Sequence, residues 1–498
     1  MPARGRGMLS RFAAGHAPPA CPSARPARAM PADRTPQPSL FLSLGQEPLS
    51  ARLRTRRAWL AAHLAWAFSP ALAAVAHAQT QAPGPSQAGT STPPQALINP
   101  PPAQQGSGRW LAAWGVAERD HRQQVSMGGL PVRPPRVFSD QTVRTRVPVA
   151  VGGREWRVRV SNRWALEPLV IDGATLALAT GGAAVSPRST AALRFGGESG
   201  LTLAPGATRW SDAVRLPVRA GQSLALSFHL ARPFALAAGY PVLRESGASW
   251  VMPGNQCHQA QPRDAQALDW APALSALDTR APPDARLLVC FGDSLTESTG
   301  AGDVQGGSYP QRLATRLSGQ RPAVSVLNAG IGGNRLLRQG VGDSALQRFD
   351  RDVLQHSGVT HALVLIGIND IGFGTFQGER SPAVPDDQIA DAPALIAGLQ
   401  QLMDAAHARG VKLLLGTLMP FGGALTWSED NERKRQAVNR WVRGRQDVAA
   451  VVDFDAALRD PAAPQRLRAQ FDSGDHLHPN AAGLAAMADT VDLAELRE

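Results

Sequence analysis

Four short blocks carry residue types able to do nucleophilic chemistry. Gly292-Asp293-Ser294-Leu295 directly follows the apolar run Leu287 to Phe291. A serine at the end of a buried strand, on a turn opening toward a helix, is presented as a nucleophile. Asn328-Ala329-Gly330-Ile331-Gly332-Gly333, Gly367-Ile368-Asn369-Asp370 and Asp475-His476-Leu477-His478 follow in order. A hydroxyl is a poor nucleophile at its ordinary pKa and needs an adjacent base. His478 is the candidate base, and Asp475, three residues earlier, is the acid that would fix its tautomer. This spacing predicts that the two share one side of a helical turn. A tetrahedral intermediate also needs preorganised donors for its oxyanion. Asn369 offers a side-chain amide, Gly333 a backbone N–H on a glycine-rich turn, and Ser294 its own N–H. Together these are the parts needed to move an acyl group from an ester to water.

Plainer roles exist for each part. Asp475 could cap the segment that follows it, Asn369 could serve a turn, and Gly333 could occupy a positive φ. Asp293, Asp370, Thr417, Pro420 and Phe421 fall in the same loops, and the two acids are expected to brace them. His476 and His478 form a His-x-His pair, but a metal site needs at least one more ligand and no spacing supplies it. Neither a metal nor a cofactor is expected.

These blocks need a scaffold, and the chain changes texture to provide one. From 286 onward, apolar runs at Leu287–Phe291, Val324–Leu327, Ala362–Ile366, Leu413–Leu415 and Val451–Val452 alternate with segments suited to helices. The latter are Pro310–Leu317, Ser344–Leu354, Pro393–Ala408 and Glu429–Arg443, with a closing helix from Ala481. Short apolar strands alternating with helices predict an α/β fold with a parallel sheet covered on both faces. Ligands in such sheets bind beyond the carboxyl ends of the strands, where the four blocks fall. Residues 109–283 read differently. Trp156, Val158 and Val160 alternate with Arg157 and Arg159, and similar alternation recurs at 175–179 and 223–228 between Gly-rich turns. That pattern predicts a β-sandwich or jelly roll. Its tryptophans (Trp110, Trp114, Trp156, Trp164, Trp210, Trp250) are either core or a platform for sugar rings.

The length of 498 residues suggests two or three units. The net charge of +11 would suit nucleic-acid binding if it were spread along the chain. Residues 1–57, however, hold ten arginines and two acids, which is +8, and leave about +3 for the rest. No nucleic-acid partner is expected. Arg52, Arg54, Arg56 and Arg57 precede an uncharged run, Ala58 to Ala78, that ends in Ala76-His77-Ala78. This predicts a leader and export signal over 1–78, of twin-arginine or ordinary secretory type, and hence a periplasmic or secreted protein. The run is too short and broken for a stable membrane span. Residues 79–108, rich in Pro, Gln and Ser, read as a linker. Beyond the leader only Cys257 and Cys290 remain, and an exported chain could join them.

The blocks Gly292-Asp293-Ser294-Leu295, Asn328 to Gly333, Gly367-Ile368-Asn369-Asp370 and Asp475-x-x-His478-Pro479 resemble those of the GDSL/SGNH hydrolase superfamily. Its four name-giving residues fall by motif on Ser294, Gly333, Asn369 and His478. Gly330 and Gly332 lie close to the glycine position. The resemblance implies a flavodoxin-like three-layer αβα domain at 286–498 and ester hydrolysis without a cofactor. Further blocks, among them Ser139 to Arg144, Val158 to Asn162, Met419 to Gly423 and Val452 to Pro461, are similar to an arylesterase/acylhydrolase subgroup with an N-terminal β domain. That subgroup often has Gly where this chain has His476. The leading expectation is an exported serine esterase acting on small-molecule or glycan esters, including O-acetylated carbohydrate. A lipolytic acylhydrolase is the alternative. An inactive carbohydrate-binding protein is a third reading, from a different class.

Overall fold

The computed structural model describes residues 108–120, 136–241, 248–298, 307–380 and 386–496, all within one compact unit of the chain. The expected leader and export signal over 1–78, and the expected linker up to residue 107, lie outside the described residues.

The N-terminal part is built mainly from two antiparallel sheets, with three smaller antiparallel sheets beside them. One orders Arg109–Gly115, Leu274–Ala281, Gly153–Ser161 and Thr208–Trp210, with Val214–Val218 also on Gly153–Ser161. The larger is centred on Gln141–Pro148 and Ser223–Leu230, flanked by Ala248–Pro253 and Gly173–Gly181. Strand alternation sets the two faces of the smaller sheet. Trp156, Val158 and Val160 are buried in the core, while Arg157 and Arg159 point the other way.

Those outward arginines change the meaning of the tryptophans. The Arg157 guanidinium lies 4.5 Å from the Trp110 ring centre and 4.2 Å from that of Trp210. Arg280 covers Trp110 at 4.2 Å and Arg159 covers Trp210 at 5.4 Å. Trp114 and Trp156 are core, Trp164 stacks with Arg163 and Arg351, and Trp250 with Arg146. Cation–π stacking thus engages the rings that a sugar platform would need.

The C-terminal part carries a five-stranded sheet in the order Val324–Gly330, Arg286–Gly292, His361–Leu365, Lys412–Gly416, Ala450–Val452, with every neighbouring pair parallel. Numbered along the chain, this is 2-1-3-4-5. The first strand is flanked by the second and third, so the crossovers diverge on either side of it and open a crevice at its carboxyl end. The helices are Tyr309–Leu317, Ala392–Ala408, Glu429–Arg443 and Ala481–Thr490. Each begins on a Ser, Asp or Asn whose side chain accepts a first-turn N–H. The expected helix at 344–354 is α-helical over Ala345–Phe349 and π-helical over Asp350–Leu354.

A single hydrophobic core runs through both parts, from Leu111 and Trp156 to Leu288 and Leu363. At their junction the chain after Arg109–Gly115 runs beside the edge strand Val324–Gly330. Val116 forms a parallel bridge with Asn328, and the Ser325 hydroxyl donates to the Ala112 carbonyl at 2.7 Å. An otherwise open sheet edge is thereby covered. Cys257 and Cys290 are both free and buried. Among the described residues no helix is long and apolar enough to cross a membrane.

Candidate active site

The crevice beside the first strand gathers the residues singled out from the sequence. Gly292 ends that strand and Ser294 opens a one-turn helix, Ser294–Glu297. The Asp293 carboxylate caps it by accepting the Leu295 N–H at 3.0 Å. Ser294 Oγ lies 2.9 Å from His478 Nε2, and His478 Nδ1 lies 2.6 Å from Asp475 Oδ2. With the Nδ1 proton facing the carboxylate, Nε2 accepts from the serine hydroxyl.

Asp475 and His478 do not share a helical turn, contrary to the sequence expectation. The segment from Gly474 to His478 is a run of bends. The carboxylate folds it by capping its own backbone: Asp475 Oδ1 accepts the Leu477 N–H at 2.9 Å and the His478 N–H at 2.8 Å. Short acidic side chains commonly build turns in this way. Burial pushes the Asp475 carboxyl up, but the hydrogen bond and charge of His478 and these two amides outweigh it and hold the group at about 2.

His476 sits between them at φ +63°, the left-handed region where a side chain is strained. The position explains why a glycine suits it. Here Asp472 compensates, accepting the His476 N–H at 3.0 Å and facing its Nδ1 at 2.5 Å. The two histidines therefore turn to different carboxylates. Among the described residues no group of three or more His, Cys, Asp or Glu is placed to hold a metal ion.

The glycine-rich turn closes the other side of the crevice. Gly330 N–H bonds Asn328 Oδ1 at 3.0 Å and Gly332 N–H bonds Glu297 Oε2 at 2.8 Å. Of the three candidate glycines this leaves Gly333, at φ +75°, as the one whose amide can serve substrate. Asn369 opens the helix Ile368–Gly372 after the third strand. One of its amide hydrogens is held by the Asn334 carbonyl at 2.9 Å. Asp370 accepts the Leu336 and Leu337 N–H groups at 2.6 and 3.0 Å and so braces the chain beyond Gly333. Thr417 is fully buried; its hydroxyl donates to Asp453 and accepts from the Asp455 N–H, while Phe421 is core. Pro420 is buried as well.

Sequence reasoning passed over Asn334, Arg348 and Glu297. Arg348 is wholly buried. It donates to Asn334 Oδ1 (2.9 Å), Ala329 O (2.9 Å) and Gly292 O (2.7 Å), ion-pairs with Asp352 at 3.2 Å and stacks on Phe291. Burial pushes its guanidinium down to about 10 against the pull of Asp352, so it stays charged at neutral pH. One side chain thus ties the ends of the first two strands to Asn334, whose carbonyl aims Asn369. The available signal was an arginine four residues before an aspartate within a segment otherwise flanked by buried apolar residues.

Asp293 is fully buried, and its Oδ2 has no hydrogen-bond partner among the described residues. Burial raises its carboxyl to about 7, with the Leu295 amide and His478 opposing. Between about pH 4 and 7 the folded chain then holds a proton that the unfolded chain has released, so folding stability falls as pH rises through that window. Asp293→Asn keeps the cap oxygen and never ionises. Its thermal midpoint should exceed that of the wild type at pH 8 and lose most of the advantage at pH 5; an unchanged difference across that range would refute the assignment.

Residues 290–486 match the model of the GDSL-like Lipase/Acylhydrolase family, and this part of the chain belongs to the GDSL/SGNH hydrolase superfamily of esterases and acylhydrolases. Similar solved structures include an acetylxylan esterase from Geobacillus stearothermophilus (19% identity, 42% of this chain and 93% of the other, TM-score 0.31). A GDSL-like lipase from Bacteroides thetaiotaomicron is also similar (16% identity, 43% and 88%, TM-score 0.32). So is an alpha/beta hydrolase from the metagenome of Lake Arreo, Spain (21%, 42% and 94%, TM-score 0.32). No curated protein matches the chain.

Proposed function

We propose that the chain is an exported serine esterase that hydrolyses carboxylic esters through an acyl-enzyme. The observation that carries this reading is the continuous relay from Asp475 through His478 to Ser294, at 2.6 and 2.9 Å. His478 takes the hydroxyl proton as Ser294 attacks the ester carbonyl, and the N–H groups of Ser294 and Gly333 with the Asn369 amide receive the oxyanion. His478 then protonates the departing alcohol. Water enters and gives a proton to His478 as its oxygen attacks the acyl carbonyl. The second tetrahedral intermediate then expels Ser294 Oγ, which takes that proton back from His478, and the acid leaves. The strand order supports a flavodoxin-like reading of the sheet, with two antiparallel sheets forming a sandwich-like region ahead of it. Export rests on the Arg52 to Ala78 sequence alone.

The complete relay argues against an inactive binding protein. Small-molecule or glycan esters, including O-acetylated carbohydrate, are the leading substrate class and lipid esters the alternative; the tryptophans lend no weight to sugar binding, because their rings carry other partners. A series of p-nitrophenyl esters tests this, with acetylated glycans to follow. Turnover should peak at acetyl to butyryl. A peak at about eight carbons or more would move the assignment to the lipolytic class.

A further inference from the structure

We propose that Arg119, supplied by the N-terminal β region, is a positioning residue for the oxyanion donors and acts through Glu297. The inference rests on the reading of Ser294, Gly333 and Asn369 given above.

Glu297 stands one turn along from Ser294 and is only 4% exposed. Its two carboxylate oxygens have separate duties. Oε2 accepts the Gly332 N–H at 2.8 Å, immediately before Gly333, and Oε1 receives the Arg119 guanidinium. A carboxylate this buried needs a partner charge, and removing one partner of such a pair leaves the other uncompensated.

The fold delivers Arg119 to this point. Val116 is bridged in parallel to Asn328, so the two chains advance in step at about 3.3 Å per residue. Three residues later Arg119 has reached the level of the glycine-rich turn. Its backbone is held from the far side by Gly239, in the strand Ala238–Pro241. On the near side the glycine-rich turn sits directly on the nucleophile turn. A Cβ on Gly330 would come within 2.3 Å of the Glu297 nitrogen. Asn328 Nδ2 also donates to the Thr296 carbonyl at 2.9 Å. Arg119, Glu297 and Gly332 thus form a strut from the β region to the amide beside the oxyanion.

Oxyanion donors act on charge that develops in the transition state, and their effect depends on fixed placement. Loosening the strut should therefore lower kcat and leave KM nearly alone. In the full chain, Arg119→Gln should reduce kcat on p-nitrophenyl acetate by about 10- to 100-fold, below the full cost of losing a donor. KM should stay within about twofold. Arg119→Lys should recover most of the loss, and Arg215→Gln, at an exposed position of the same region, should match the wild type. If Arg119→Gln does not fold, the apolar pair Arg119→Met with Glu297→Leu removes both charges together, and a folded pair should show the same fall in kcat. Wild-type kcat in either variant, or a loss that Arg119→Lys does not relieve, overturns the proposal. Ser294→Ala separates the two levels. If it keeps turnover, the site reading fails; if it is inactive while Arg119→Gln is normal, only the strut fails.

Discussion

Ser294→Ala should lose about 10⁴-fold or more in kcat while its thermal midpoint stays within a few degrees of the wild type. The size follows from chemistry: without the hydroxyl no acyl-enzyme forms, and the residual rate is what binding and the oxyanion donors give to water attack. The small effect on folding follows from packing. Among the described residues Ser294 Oγ bonds His478 alone, and alanine fits the same turn, whose cap is the Asp293 carboxylate. The check is the pre-steady-state burst together with covalent labelling by a fluorophosphonate. Both should vanish in the variant. Retention of either one would transfer the nucleophile to another residue.

The second large effect is expected from Asp475→Asn, a fall in kcat of about 10³- to 10⁴-fold. Asp475 is ionised at all working pH values because its carboxyl is held at about 2. Asparagine can keep the backbone bonds to Leu477 and His478 through its oxygen. That turns its NH₂ toward His478 Nδ1, which must then accept. The imidazole proton moves to Nε2 and faces Ser294, where an acceptor is required. KM should change little, so the loss should appear in kcat. The same group predicts an acid effect on stability. A carboxyl lowered on folding stabilises fully above its unfolded value near 4, and that contribution is lost as pH falls toward about 2. Acid unfolding followed by circular dichroism should show a weaker dependence below pH 4 in the variant. An equal dependence would deny Asp475 its anionic role in the fold.

Much of this site could be read in the chain because its chemistry is written in short local blocks. Ser294, Asn369 and the Asp475/His478 pair each stand where a strand end or closing loop must be, and short apolar runs and helical patterns located those elements to within three residues. Less local features were hidden. The turn at Asp475 looked helical because i, i+3 spacing is shared by helices and by turns capped by a side chain. Arg348 and Glu297 were passed over, since sequence does not show that their segments lie against the ends of two strands. The motif fell on Gly333, but only the hydrogen bonds of the Gly330 and Gly332 amides set those two neighbours aside. The tryptophans were ambiguous for a similar reason: only coordinates reveal that Trp114 and Trp156 are core and that arginines cover Trp110, Trp164, Trp210 and Trp250.

The bridge between Val116 and Asn328 has a consequence for anyone cutting the chain. A fragment beginning at Arg286 would retain Ser294, Asn369 and His478, yet it would bare the row of backbone donors and acceptors along Val324–Gly330. Such a row templates strand addition from another molecule. The β region therefore also works as a built-in guard against self-association, and a catalytic fragment made without it would face a colloidal problem before a kinetic one.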